Sequence, residues 1–165
     1  MQGFSPVSHE NCRVLVLGSF PSVESRMRQE YYAHRQNSFW KIMFAMFSEP
    51  YSKNYDIKKE LLLSHDVALW DVLLSHEGEG SADSNIKEPV PNDFTSFFPE
   101  HRRIVHIFFN GGTAERLFSE LIGKESVPYP VRYTRLFSTS PANARYRFEE
   151  KLQNWSQILN ELRLK

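Results

Sequence analysis

Five short stretches of the chain carry groups able to act on a substrate. Gly18-Ser19-Phe20-Pro21-Ser22 can offer backbone N–H groups to an anion or a carbonyl oxygen. It has neither the lysine of a phosphate-binding loop nor the spacing of a dinucleotide turn or a nucleophile elbow. Between Tyr31 and Trp40 polar side chains sit among rings, and Asn37 is either a functional amide or the cap of the helix that follows. Asp71 closes an apolar run and Asn110 precedes two glycines; both also suit ordinary turns. In Ser138, Thr139, Ser140, Pro141, Ala142, Asn143 and Arg145, small residues run into arginine. Around them Arg132, Arg135, Arg145 and Arg147 meet no Asp or Glu, which makes either a local cationic surface or a set of solvated arginines.

Other chemistries are excluded. The six histidines form no ligand pair at helical spacing beside carboxylates or thiols, so no metal is expected, and no hydrolytic triad is visible. The single cysteine, Cys12, rules out an internal disulfide framework, a four-cysteine zinc module and an iron–sulfur cluster held by four thiolates of this chain.

The elements that must position these groups alternate in type. Apolar runs at 14–17, 67–70, 104–109 and 131–137 read as strands buried on both faces, each ending in small or polar residues. Helical patterns fall at 22–30, 39–46, 57–63 and 113–122, the last stopped by Gly123. A final helix over 147–162 puts Phe148, Leu152, Trp155, Leu159 and Leu162 on one face. This order predicts an α/β fold with a parallel sheet flanked by helices, and ligands then bind beyond the carboxyl ends of the strands.

At 165 residues, 41% hydrophobic and 24% charged, the chain has the size and balance of one soluble domain, 1–165. Aromatics at 14% fit an aromatic core or a pocket that stacks flat rings. Twenty Lys plus Arg offset twenty Asp plus Glu, so any attraction to phosphate must be local. The acidic loop 75–91, with Glu77, Glu79, Asp83 and Glu88 against Lys87, reads as a surface excursion; with the cationic stretch it predicts a polarised surface. Residues 1–11 lack signal-peptide features, and no apolar run approaches the roughly 18–20 residues of a membrane span, so a cytoplasmic monomer is expected.

Five motifs occur together in one order: Leu17 to Ser22, Tyr32 to Lys41, Ala68 to Val72, Phe109 to Thr113 and Ser138 to Ala144. In this the sequence resembles the uracil-DNA glycosylase superfamily, and within it the hypoxanthine-DNA (deoxyinosine) glycosylase branch. The resemblance implies a three-layer α/β/α fold around a four-stranded parallel sheet. It also implies a monofunctional, cofactor-free enzyme that flips a deaminated base out of DNA to hydrolyse its glycosidic bond. On this reading Asn37 is the catalytic residue that positions water, and Tyr32 stacks on the flipped base. The backbone of Gly18, Ser19 and Phe20 lines base and sugar, and the loop from Ser138 to Arg145 wedges into the vacated space. Asp71 stands where relatives place a base-reading asparagine; its carboxylate can accept the ring N–H that hypoxanthine has and adenine lacks. Asn110 joins the base-binding set.

Three departures from the family pattern bear in turn on substrate, on stabilisation of the leaving base and on the placement of Asn37. Phe20 replaces the Asp or Asn of uracil-removing relatives, Ser138 or Thr139 replaces a histidine, and Arg35 replaces a proline. Hypoxanthine is therefore the expected base, with xanthine second; a uracil or mismatch enzyme and a non-catalytic binder of damaged DNA are the alternatives.

Overall fold

The computed structural model describes residues 2–163. The expected span 1–165 also includes residues 1, 164 and 165, which lie outside the described residues. In chain order the elements are β1 (Val14–Gly18), α1 (Val23–Arg28), α2 (Phe39–Met46), α3 (Tyr55–Ser64), β2 (Val67–Asp71) and β3 (Leu73–Ser75). There follow β4 (Val90–Pro91), α4 (Phe94–Glu100), β5 (His106–Asn110), α5 (Gly112–Leu121), β6 (Arg132–Leu136), α6 (Phe148–Trp155) and α7 (Gln157–Arg163).

The four expected strands form one parallel sheet in the order β2-β1-β5-β6. β1 is central and buried along its whole length, which is why it reads as an unbroken apolar run. Its residues alternate between layers. Val14 and Val16 pack with α2, α3, α6 and α7 through Phe39, Trp40, Ile42, Leu62, Trp155 and Ile158. Leu15 and Leu17 pack with α4 and α5 through Phe94, Phe97, Phe98, Leu117 and Phe118. The result is the expected three layers. Because the chain leaves β1 toward β2 and returns on its other side to β5, the carboxyl ends of β1 and β5 open a crevice at the point where the winding reverses.

The structure differs from the sequence pattern in three places. The last helix is not continuous: Ser156 directs both its N–H (3.0 Å) and its Oγ (2.7 Å) at the Leu152 carbonyl, and the chain restarts as α7. The break buries Trp155 and Ile158 and leaves Phe148, the expected start of the apolar face, 38% exposed. Second, α4 has no counterpart among the expected helices; Asp93 caps it by accepting the Ser96 N–H at 3.1 Å, and Phe94 and Phe97 lie against Trp70. Third, the loop 75–91 is anchored by the antiparallel pair β3–β4 and folds back over the main sheet's carboxyl edge.

No helix among the described residues is long and apolar enough to cross a membrane. Leu15 is fully buried beneath α4 and α5. Leu15→Ala should therefore cost ~2–5 kcal/mol, measurable as a lowered urea midpoint with an unchanged slope.

Candidate active site

A cavity of about 830 Å³ occupies the crevice at the carboxyl ends of the strands. The residues singled out from the sequence meet there: Gly18, Ser19, Phe20, Tyr32, Asn37, Asp71, Asn110, Ser138, Thr139, Ser140, Pro141, Ala142, Asn143 and Arg145 all line it.

Its floor is set by strand register. Gly18 pairs with Asp71 across β1 and β2, and a Cβ on Gly18 would lie 2.6 Å from Asp71 Oδ1 and 2.6 Å from Tyr32 Oη. Only a residue without a side chain lets these groups converge. Asp71 is 3% exposed, and its Oδ2 is buried with no hydrogen-bond partner. Burial pushes its pKa up to about 7. The Tyr32 hydroxyl is likewise buried without a partner of good geometry. Its pKa is driven up by burial and then by Asp71, with the neighbouring Asn110 amide pulling the other way. Unpartnered buried polar atoms are costly in a native structure, and two of them belong to residues that line this one cavity.

One wall is built from the segment before α2. Tyr32 adopts a left-handed backbone conformation (φ 53°), and Phe39 covers one face of its ring with centroids 4.3 Å apart. The Asn37 side chain accepts the Phe39 N–H at 2.9 Å. An N–H only donates, so the atom facing it is Oδ1, and the amide is held in one orientation with Nδ2 turned away. Asn37 thus plays the capping part open to it from the sequence while also lining the cavity; Ser38, the residue directly before α2, makes no side-chain capping bond.

The opposite wall is a hydrogen-bonded joint. Asn110 at the end of β5 accepts the Thr139 N–H (2.9 Å) and donates to Thr139 Oγ1 (2.9 Å). The Thr139 carbonyl in turn accepts the Ser38 N–H at 3.1 Å. Both ends of the Asn110 amide are therefore engaged, so it acts first as a clamp on the loop rather than as a free reader of a base. Beside it Gly111 (φ 90°) passes with only 3.0 Å between a would-be Cβ and Ser138. The loop is further tied by Asn143 Nδ2 donating to the Ser138 carbonyl at 3.0 Å, and Tyr146 stacks on Phe137 at 3.8 Å.

One placement adds to the expectations from sequence and a second revises them. Phe20 is buried, meeting the His76 ring edge-on at 4.7 Å, so it closes the wall and offers no polar atom from its side chain. The acidic loop is not a remote excursion: Ser81, Ala82 and Asp83 line the cavity, and Asp83 pairs with Arg116 of α5. An acid at the rim also breaks the expected separation of charge. Asp83 reaches the rim with an ion pair to Arg116, a contact between distant segments that no local pattern encodes, and Ser25, His34, Phe137 and Tyr146 also line the cavity without having been singled out from the sequence. Among the described residues no group of His, Cys, Asp and Glu could hold a metal ion.

The buried carboxyl has a thermodynamic signature. Between its unfolded value near 3.8 and its folded value of about 7, Asp71 keeps in the native state a proton that the unfolded chain releases, so this group lowers stability as pH rises through that window. Asp71→Asn removes the slope. The variant should gain on the wild type by on the order of 4 kcal/mol from pH 4 to pH 8. A pH-independent difference between the two urea midpoints would contradict the assignment.

Comparisons with known proteins agree with this geometry. Residues 5–163 match the model of the uracil DNA glycosylase superfamily. The chain is 35% identical over 111 residues to a protein named hypoxanthine DNA glycosylase from Methanosarcina barkeri (strain Fusaro / DSM 804), covering 67% of this chain and 70% of that one. It is 36% identical over 114 residues to a like-named protein of Methanosarcina acetivorans, covering 68% and 72%. The solution NMR structure of a Methanosarcina acetivorans protein assigned as a uracil DNA glycosylase superposes with a TM-score of 0.81 at 31% identity, over 98% of this chain and 97% of that one. With the sheet order, the cavity and its lining residues all in place, the chain belongs to the uracil DNA glycosylase superfamily.

Proposed function

We propose that the protein is a monofunctional DNA glycosylase that removes deaminated bases, hypoxanthine first, and so opens base excision repair, acting as a monomer without cofactor. The observation that carries this reading is the Asp71 carboxyl, buried at the carboxyl end of β2 with one oxygen unpartnered and facing the same cavity as the Tyr32 ring and the Asn37 amide. The two Methanosarcina relatives named hypoxanthine DNA glycosylase support it.

The base enters only after extrusion from the duplex, since its glycosidic bond is out of reach inside the stack. Tyr32, its other face covered by Phe39, stacks on the flipped base. Ionised Asp71 accepts the N1–H of hypoxanthine; adenine has a lone pair there, so the buried carboxylate repels it. Asn37 Oδ1, already fixed by the Phe39 N–H, uses its second lone pair to accept from a water and aims that water at the anomeric carbon. The C1′–N9 bond breaks as the water oxygen bonds to C1′. The electron pair leaves with the base, and the proton released by the water ends on the base. The charge developing on the base is met by the polar groups lining the Gly18 to Ser22 turn. Among the described residues no lysine lines the cavity, which fits hydrolysis by water rather than a Schiff-base route.

The placement of Phe20 favours hypoxanthine over uracil. Buried against His76, it puts no carboxylate or amide where uracil-removing relatives carry one.

Labelled duplexes carrying a single hypoxanthine, xanthine or uracil, followed by alkaline cleavage of abasic sites, test the reading. Hypoxanthine duplex should be cut and uracil duplex spared. Asn37→Ala should lose about 100-fold or more in single-turnover rate while still binding. DNA binding with no product from any duplex would leave only the non-catalytic alternative. Wild-type excision should rise as pH passes about 7 and Asp71 ionises, and Asp71→Asn should flatten that rise.

A further inference from the structure

A second cavity, of about 320 Å³, lies beside the first and is lined by Glu24, Arg28, His34, Arg35 and Gln36. His34 lines both, so the two cavities adjoin at this residue. Nothing in the base-excision scheme uses this second space.

Its lining combines several donors with one carboxylate, Glu24. His34 Nδ1 accepts the Gln36 N–H at 3.1 Å, so a neutral ring carries its proton on Nε2 and presents it as a donor. Arg35 is exposed and belongs to no ion pair formed among the described residues. Arg28 sits 3.3 Å from Glu24, one turn away on α1, with both side chains exposed. Such a surface pair is held weakly, so Arg28 can exchange Glu24 for a stronger anion. Two guanidinium groups against one carboxylate leave the cavity cationic, and the planar guanidinium fork matches a phosphate bidentately.

We propose that this cavity holds a backbone phosphate of the damaged strand, the phosphodiester next to the extruded nucleotide, with Arg35 as the principal anchor, Arg28 as the second and His34, the residue the two cavities share, donating from Nε2. The proposal rests on the glycosylase reading and adds to it the grip on the backbone that holds a nucleotide out of the duplex. The covalent link between sugar and phosphate supplies the physical argument. A nucleotide whose base and sugar fill the first cavity must carry its phosphates to the mouth of that cavity, and the cationic space joined to it through His34 is where one can be neutralised. A chain with no net charge has no long-range field to rely on, so local contacts of this kind carry the affinity.

The test is a cycle between protein and DNA, read as equilibrium binding of a hypoxanthine duplex. Arg35→Gln should weaken binding about 10-fold at low salt and reduce the slope of log K against log salt by about 1. Glu24→Gln should tighten binding about 3-fold by releasing Arg28, a gain that a folding defect cannot produce. Neutral methylphosphonates are then placed one at a time at the phosphates around the lesion. A single position should weaken wild-type binding several-fold and have no effect on Arg35→Gln. Equal losses at every position in both proteins, or an unchanged salt slope, would overturn the proposal. So would competition by inorganic phosphate that Arg35→Gln abolishes without any such position in the DNA, since the cavity would then take free phosphate. Excision of hypoxanthine by the wild type is scored separately: its absence defeats the glycosylase reading, whereas an additive cycle alongside normal excision defeats only the phosphate site.

Discussion

The group on which the site depends is a carboxyl kept away from water. Asp71 ends a strand that is buried along its whole length, and one of its oxygens finds no partner in the protein. A desolvated carboxyl of this kind is unfavourable unless it is protonated or meets a donor, which is why its pKa stands near neutrality. Everything around it follows from accommodating that group. The parallel register puts Gly18 opposite, the missing Cβ makes room for both Asp71 and the Tyr32 hydroxyl, and Phe39 steadies the tyrosine ring from behind. The protein carries at its centre an unsatisfied polar group, and under the proposed function a base with a ring N–H is what relieves it.

A preorganised cup needs walls that do not move, and one residue ties them together. Thr139, 1% exposed, is held by both ends of the Asn110 amide and gives its carbonyl to Ser38. This connects the end of β5, the start of α2 and the loop after β6, three parts far apart in sequence. Asn37 lies next to that joint, and its amide orientation is set by the helix it begins. Side chains locked by such partners lose little freedom when a ligand arrives, which is what the water-directing part proposed for the Asn37 amide requires.

The fold subordinates charge to this site. Rather than dividing into a positive and a negative half, the surface brings acid and base to the same rim: Asp83 of the acidic loop meets Arg116, and Glu115 lies 3.6 Å from Arg135. Both pairs lie largely exposed, so they balance charge at the rim more than they fix its walls. Cationic groups left over for DNA are few and local, so discrimination falls to the cavity.

The amino-acid sequence by itself determined the alternation of strands and helices, the buried parallel sheet, and the set of residues at the strand ends. These depend on apolar runs, turn formers and caps that act over a few residues, and the motif order from Leu17 to Ala144 specified the family. The break at Ser156 was not legible, because a serine hydroxyl bonding back to Leu152 competes with a helical pattern that remains intact in the letters. Nor was α4, whose phenylalanines are placed by packing on Trp70, a residue distant in sequence. Tertiary structure alone decided that Asn110 clamps Thr139, that Phe20 turns into a wall, and that Ser81 to Asp83 reach the cavity. It also decided that Asp71 is sealed with an oxygen to spare. Each of these is a contact between segments distant in sequence, and desolvation and hydrogen-bond pairing are properties of the assembled surroundings, not of a residue type.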